Sequence, residues 1–423
     1  VSLARPWNKP LHAVLEKLQI LSKSPVPLVE NMPDKVVSEL TTDSRTLEKE
    51  GEQTLFIALP GLHAHGLNYI SADTPVVAVL TPQTEDAEIL NKIESLRQQG
   101  VGVIEVPNLE ALLAELADWF YDSPSKQLQA IGITGTNGKT STAFYTAQLL
   151  EAQGIQTALI GTLGLGFISD LKPSPNTTPE VVTVHRQLAH FALAGAKAVV
   201  MEVSSHAVAL GRIDRVQFAV QALTQVTRDH LDFHGSEAAY RQTKKQFFEQ
   251  VAASQSQVCW VVNSEDELGQ SLISLAESLP NVDCLSYGLN RTAMLHCKGW
   301  QFEPNGLQGS VVFKQQCVPC QVSLLGRFNA ENVLCALGSV LSLDSDFQVA
   351  VSSLSNLQPV TGRMQRVNQQ ACVTQPQVVV DYAHTPDGLR QALLAFRQHL
   401  SANNPPLTVV FGCGGERDQG KRP

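Results

Sequence analysis

The chain has 423 residues, with 31 Lys+Arg against 40 Asp+Glu, a formal net charge of −9, and 43% hydrophobic residues. At about 150 residues per domain this length predicts two to three domains, and the acidic balance excludes a protein that wraps nucleic acid with a basic face. The composition is too apolar for a disordered chain, and no run of about 20 apolar residues is available to span a bilayer.

Val1-Ser-Leu-Ala-Arg5 has no long apolar core behind its single Arg, so no signal peptide is read there. The sequence lacks an initiating Met and stops just after a glycine-rich turn, so a longer protein is expected. Residues 1–124 read as a first unit. Thr54-Leu-Phe-Ile-Ala-Leu59 is strand-like and closed by Pro60-Gly61, and Val76-Val-Ala-Val-Leu80 is a second run closed by Thr81-Pro82. Apolar residues at 109, 112, 113, 116 and 120 predict a helix over 109–120, and Ser123-Pro124-Ser125 reads as a linker.

Residues 125–357 form a second unit. Ala130-Ile-Gly-Ile133 is a strand, 140–152 a helix ended by Gly154, and Ala158-Leu-Ile160 a strand. A helix over 179–194 has Pro179 in its first turn, Thr178 as a capping residue and Gly195 just after it. Ala198-Val-Val-Met201 is the next strand. This alternation predicts an α/β fold, a parallel sheet with helices on both faces. A strand-rich insert spans 284–325, with Cys317 and Cys320 as plain thiols at strand ends, and a helix over 330–341 closes the unit. Residues 358–423 open a third α/β unit: a strand at Val378-Val-Val380, a helix over 386–399, and a strand Leu407-Thr-Val-Val-Phe411 running into Gly412-Cys-Gly-Gly415.

The strongest chemical signal is Thr134-Gly-Thr-Asn-Gly-Lys-Thr140, between a strand and a helix. Its glycines let backbone N–H groups turn toward phosphate oxygens, Lys139 reaches terminal phosphates, and the Thr140 hydroxyl can hold Mg²⁺. The strict G-x4-G-K-[ST] pattern wants Gly where this chain has Ile133. Glu202, directly after a strand, is placed to ligate Mg²⁺ at the carboxyl edge of the sheet. Asp229-His-Leu-Asp-Phe-His-Gly235 reads either as a polar loop with two structural His or as a zinc pair, His230 and His234, without a further ligand at zinc spacing. Lys244 and Lys245, taken alone, read as solvated helix residues.

These pieces, with Thr41-Thr-Asp-Ser-Arg45, Phe56-Ile-Ala-Leu-Pro-Gly61, Asn176-Thr-Thr178, Met201-Glu-Val-Ser-Ser-His206, Gly362-Arg-Met364, Asp381-Tyr-Ala-His-Thr-Pro-Asp387 and Gly412-Cys-Gly-Gly-Glu-Arg-Asp418, resemble the Mur ligase family along essentially the whole chain. The resemblance implies three domains: an N-terminal UDP-binding α/β domain (1–124), a central phosphate-loop ATPase domain (125–357) and the start of a C-terminal Rossmann-like domain (358–423). It implies an ATP-dependent ligase, with ATP as cosubstrate and Mg²⁺ as cofactor. Such a ligase adds meso-diaminopimelate to UDP-N-acetylmuramoyl-L-alanyl-D-glutamate through an acyl phosphate. A cytoplasmic monomer without nucleic-acid or membrane partners is expected. L-lysine as the added residue, a folylpolyglutamate synthetase-like ligase, and a nucleotide-binding fragment without turnover are the alternatives.

Roles carried over by the resemblance fall on matching positions. Thr134, Gly135, Thr136, Asn137, Gly138, Lys139 and Thr140 bind ATP; Arg363, Asp381 and His384 close over the nucleotide. Glu202 and His230 ligate magnesium beside Thr140, and Lys244 matches a lysine carried as its N6-carboxy (carbamate) form. Lys139, Lys244, Glu202 and His230 form the catalytic set. Asn176, Thr177, Thr178, Ser204 and Arg212 hold the muramoyl-dipeptide, while Thr42, Ser44, Leu62, His63 and Ala64 contact the UDP end. Arg417 matches a residue that recognises the incoming amino acid. The chain departs from the family pattern at Gln225 (usually Asn), at Leu210, a substrate position where close relatives carry Gln, and at His65 (Asp).

Overall fold

The structure is a computed structural model that describes residues 7–26, 35–47, 53–61, 64–367, 377–383, 386–400 and 406–412. The chain divides into two compact units: Val1–Leu128 with Thr178–Lys197 and His206–Gln217, and Gln129–Thr177 with Ala198–Ser205 and Phe218–Pro423.

The first unit holds a parallel sheet in the order Glu39–Thr41, Thr54–Ile57, Ala78–Pro82, Val103–Val106. These strands are buried almost throughout, which is why they read as unbroken apolar runs rather than alternating ones. The third strand starts two residues later than the sequence reading put it. The helix Leu109–Phe120 matches its expected bounds and buries Leu109, Leu113, Leu116, Ala117 and Phe120, and it packs on the helix Val181–Leu193. That second helix corrects the capping expectation. Its N-cap is Glu180, whose carboxylate accepts from the N–H groups of Val182 (2.8 Å) and Thr183 (2.7 Å). A carboxylate meets two orphan donors and the positive end of the helix at once, so it displaces Thr178 from that role.

The second unit is built on an eleven-stranded sheet. Its parallel core runs Thr157–Gly161, Ala198–Glu202, Gln129–Thr134, Val220–Leu223, Val258–Asn263, Val282–Gly288. From Gln129–Thr134 the chain first builds outward on one side and then crosses to the other. Thr134 therefore ends a strand at the topological switch point, where open parallel sheets bind ligands. The helix Lys139–Glu151 covers this strand region and packs on the helix Arg327–Leu341.

The insert Leu295–Glu303, Gly306–Phe313, Gln316–Val322 joins Val282–Gly288 in a short parallel pairing and is antiparallel within itself. Cys317 and Cys320 lie inside its last strand rather than at strand ends, and both are free thiols. At the opposite edge lie Gly164–Phe167 and the three-residue strand Asp170–Lys172. Beyond residue 358, Gln365–Arg366 pairs antiparallel with Val379–Val380, and Pro386–Gln398 is helical. The expected strand Leu407–Phe411 is not formed. Among the described residues 406–412 pairs with no neighbour, and Val410 is 94% exposed; an apolar run becomes a strand only where a ladder partner exists. No described helix is long and apolar enough to cross a membrane.

Candidate active site

The loop after Thr134 turns on two glycines that no other residue could replace. Gly135 has φ 147° and Gly138 φ 86°. A Cβ on Gly135 would collide with the Thr224 hydroxyl, and one on Gly138 with the Asn332 side-chain oxygen. The loop is gripped from outside: the Thr136 N–H donates to the Gln225 carbonyl (2.6 Å), and the Thr224 hydroxyl lies 2.7 Å from the Asn137 carbonyl. The Thr136 hydroxyl sits 2.9 Å from the Tyr240 hydroxyl and accepts the Thr227 N–H at 3.0 Å. Ile133, where the general pattern wants Gly, is a buried strand residue whose carbonyl accepts the Val203 N–H (2.8 Å). It packs the sheet and leaves the turn to Gly135 and Gly138.

Two lysines converge beneath this loop. Lys139 donates to the carbonyls of Gly135 (2.8 Å) and Thr136 (2.9 Å), and Lys244 donates to the same Gly135 carbonyl at 2.8 Å. Lys244 is 1% exposed and its ammonium stands 4.7 Å from the Tyr240 ring centroid. Its neighbour Lys245 instead pairs with Glu249 (3.2 Å) one helical turn on, so the solvated-helix reading holds for Lys245 and fails for Lys244. Burial, then the Lys139 charge, holds the Lys244 amine well below its ordinary pKa. Burial also lowers Lys139. Both shifts follow first from taking an ammonium group out of water.

Glu202, 1% exposed, lies on the same side of the loop. The Thr140 hydroxyl donates to one of its oxygens (2.9 Å) and the Thr162 N–H to the other (2.7 Å). A carboxylate and a hydroxyl side by side at a phosphate loop are the hard oxygen donors that Mg²⁺ takes. His230, with φ 50°, has Nε2 3.4 Å from an Asp229 oxygen. His234 has Nε2 2.9 Å from the Ser205 hydroxyl and Nδ1 3.5 Å from that of Thr243. Among the described residues no three His, Cys, Asp or Glu side chains gather into a group that could hold a metal ion.

The remaining positions are distributed over both units. Thr42 follows the strand Glu39–Thr41, and Ser44 opens a short 3-10 turn whose Asp43 carboxyl is kept low by the Arg45 guanidinium. Ala64 accepts the Gly61 N–H at 3.1 Å. His65 does with Nδ1 what an Asp would do there, accepting the Leu67 N–H (3.2 Å). In the other unit, Asn176 is exposed and Thr177 lies 3.1 Å from Thr162, hydroxyl to hydroxyl. Ser204 is half-buried there. Thr178, Leu210 and Arg212 belong to the first unit: Thr178 is buried and its carbonyl accepts from the Arg212 guanidinium (3.0 Å), and Leu210 is exposed. Beyond 358, the Asp381 carboxylate accepts from the N–H groups of Met364 (2.9 Å) and Ala383 (2.8 Å), and Arg363 lies over the Tyr382 ring (5.0 Å). Leu62, His63, His384 and Arg417 lie outside the described residues.

Comparison with known proteins bears on the same region. The Mur ligase middle domain matches residues 133–340, and the Mur ligase glutamate ligase domain matches 362–423. The chain is 39% identical over 392 residues, 92% of its length and 76% of the relative's, to the UDP-N-acetylmuramoyl-L-alanyl-D-glutamate–2,6-diaminopimelate ligase of Pseudomonas syringae pv. tomato. The chain belongs to the Mur ligase family.

A second Mur ligase relative, of the same description from Coxiella burnetii, is 39% identical over 397 residues, 92% of the chain and 77% of that protein. A solved structure of a UDP-N-acetylmuramoyl-L-alanyl-D-glutamate–2,6-diaminopimelate ligase is similar with a TM-score of 0.72 and 27% identity, covering 96% of this chain and 78% of that one. Against the Mur ligase pattern the Gln225 departure is benign for the loop, since the backbone carbonyl, not the side chain, receives Thr136. Two residues escaped the sequence reading: Asn329 and Asn332. Asn332 abuts Gly138 and lies 3.4 Å from the Thr142 hydroxyl, and Asn329 accepts from Tyr145 (3.2 Å). Two amides one turn apart near the start of a helix whose later half is apolar were the available signal, because buried amides need partners.

Proposed function

We propose that the chain is an ATP-dependent amide ligase of peptidoglycan precursor synthesis. In this reading it joins meso-diaminopimelate to the D-glutamate of UDP-N-acetylmuramoyl-L-alanyl-D-glutamate, as the relatives' names describe for those proteins. The observation that carries the reading is the buried Lys244 beneath a phosphate loop whose Thr140 touches Glu202. A simple phosphate-loop ATPase has no use for a second buried lysine there.

In the reaction, the γ-phosphoryl group of ATP passes to the D-glutamate carboxylate, the amine attacks the acyl phosphate, and phosphate leaves. Such chemistry asks for positioning and charge neutralisation more than for a protein nucleophile. Backbone N–H groups of the 134–140 loop orient the phosphates. Lys139 exchanges the Gly135 and Thr136 carbonyls for phosphate oxygens. Thr140 and Glu202 would hold Mg²⁺, with His230 and carbamylated Lys244 as further ligands. When bound there, Mg²⁺ supplies positive charge beside the transferring group. The depressed pKa of Lys244 favours the neutral amine that adds CO₂, forming an N–C bond with loss of one proton. Arg363, Asp381 and His384 close over the nucleotide, and Arg417 reads the amino acid's carboxylate. Asn176, Thr177, Thr178, Ser204 and Arg212 hold the muramoyl-dipeptide beside Leu210. Thr42, Ser44, Leu62, His63 and Ala64 hold the UDP end. The functional domains in this reading are 1–124, 125–357 and 358–423, and the enzyme works as a cytoplasmic monomer, where ATP and UDP-linked precursors are supplied.

The test is direct. The intact gene product, given ATP, Mg²⁺, the UDP-muramoyl-dipeptide and meso-diaminopimelate, releases phosphate and yields the tripeptide product. L-lysine in place of diaminopimelate gives much slower release. No release above background with either amino acid rejects the assignment.

A further inference from the structure

The helix that begins with Lys139 and Thr140 ends near a segment remote in sequence. Gln148, on that helix, uses both ends of its side-chain amide on one residue. Its Nε2 donates to the Gln358 carbonyl (3.1 Å), and its Oε1 accepts the Gln358 N–H (2.8 Å). This is the two-point pairing of a β-ladder, made by a side chain, between residues 210 apart. Leu357 and Val360 on either side are buried, but a cavity of about 350 Å³ opens beside the pair, lined by Gln148, Ala152, Phe167, Ile168 and Leu357 among others. Packing is thus incomplete where the helix meets the segment, and the amide spans the contact.

Gln358 enters a turn with unusual backbone. The Arg363 N–H donates to the Val360 carbonyl (3.0 Å), and Gly362 and Met364, on either side of Arg363, have φ 71° and 47°. Two left-handed residues around one arginine are where a chain changes direction. One rigid helix therefore carries the phosphate-binding residues at its start and the tether of the Arg363 turn near its end.

We propose that Gln148 is a positioning residue that registers the 358–364 turn, and with it Arg363, to the nucleotide-binding helix. The proposal rests on reading the 134–140 loop as the ATP site. The amide transmits the helix position to the turn. It touches no nucleotide itself, so it acts on closure and not on the first binding of phosphate.

The test uses Gln148→Leu, which is one atom shorter and removes both bonds, and Gln148→Glu, which keeps the acceptor and sets a carboxylate against the Gln358 carbonyl. In the intact protein kcat falls about five-fold in Gln148→Leu and by less in Gln148→Glu, the size of a lost pair of partly exposed hydrogen bonds. The KM for ATP stays within about two-fold, because the loop is untouched. Amide hydrogen exchange at Gln358 and Arg363 quickens in both variants, while amides of 139–151 keep their protection. Unchanged kcat with unchanged exchange at Gln358 overturns the proposal. So does exchange that quickens equally along the helix, which would mark a merely structural role. If the wild-type protein gives no turnover, the reaction assigned above falls and exchange with ADP decides. Protection of Arg363 by ADP in the wild type but not in Gln148→Leu supports the tether, and equal protection in both refutes it.

Discussion

Around Gly135 and Gly138 the side chains of Thr224 and Asn332 leave no room for a Cβ; the Thr136 N–H is held by Gln225, and the Gly135, Thr136 and Asn137 carbonyls by two lysines and Thr224. After Gln358 the hold among the described residues is different: two-residue strands and one carboxylate bracing two N–H groups. The first region is finished before any ligand arrives, so phosphate meets donors already oriented. Among the described residues the second is secured at separate points, such as the Asp381 carboxylate, Arg366 on Pro304, and the cluster of Leu325, Met364, Ala395 and Phe396. In the reading proposed above the ligase grips ATP and then closes over it, which uses both.

The largest break in this contrast is Lys244→Ala. It removes the buried amine and brings turnover to near background, a loss of roughly a thousand-fold, as expected for loss of a group acting on transferring charge. Acetate or formate restores part of it, and full activity in the mutant would take the carbamate out of the mechanism. Next comes Gly135→Ala. A residue forced to φ 147° against the Thr224 hydroxyl deforms the cradle, so ADP affinity measured by calorimetry drops by at least about a hundred-fold. Retained affinity would show that the cradle yields.

The smallest effect tests the second region. His399 is buried, accepts the Gly326 N–H on Nε2 (2.7 Å) and lies 2.6 Å by Nδ1 from the Glu303 carbonyl. Burial, and then the Arg366 charge, keeps it neutral by lowering its pKa. A lowered folded-state pKa means the unfolded chain binds the proton first. The stability His399 contributes is complete above about pH 6.5, the ordinary imidazole value, and drains away as pH falls through the folded-state pKa. His399→Phe costs about 1–2 kcal/mol near pH 7.5, read by urea unfolding, and that cost shrinks in acid. His185 is also buried with a lowered pKa, so only the difference between wild type and variant isolates His399. A difference that is flat with pH would sink the account.

Much of this was legible in the residues. The helix Leu109–Phe120 was readable because one apolar stripe faces one core, and the phosphate loop because glycine, lysine and threonine at fixed offsets have few other uses. What stayed hidden depended on partners distant in sequence. Lys244 and Lys245 look alike until the fold buries one, and Asn332 gains meaning only against Gly138. Thr178 and Glu180 compete for one helix start, and only geometry selects the carboxylate. Leu407–Phe411 has a strand's composition, but composition supplies no neighbour to pair with.

The two ends of the eleven-stranded sheet carry a last consequence. A ribbon of this width invites a foreign chain to dock as a twelfth member on either side. One border is a short Asp-Leu-Lys segment with a charge at each end; the other carries Pro319, which lacks the N–H an intruder would need. Replacing Pro319 with valine restores that N–H, and the expected outcome is self-association that rises with protein concentration, read by sedimentation, with turnover unchanged.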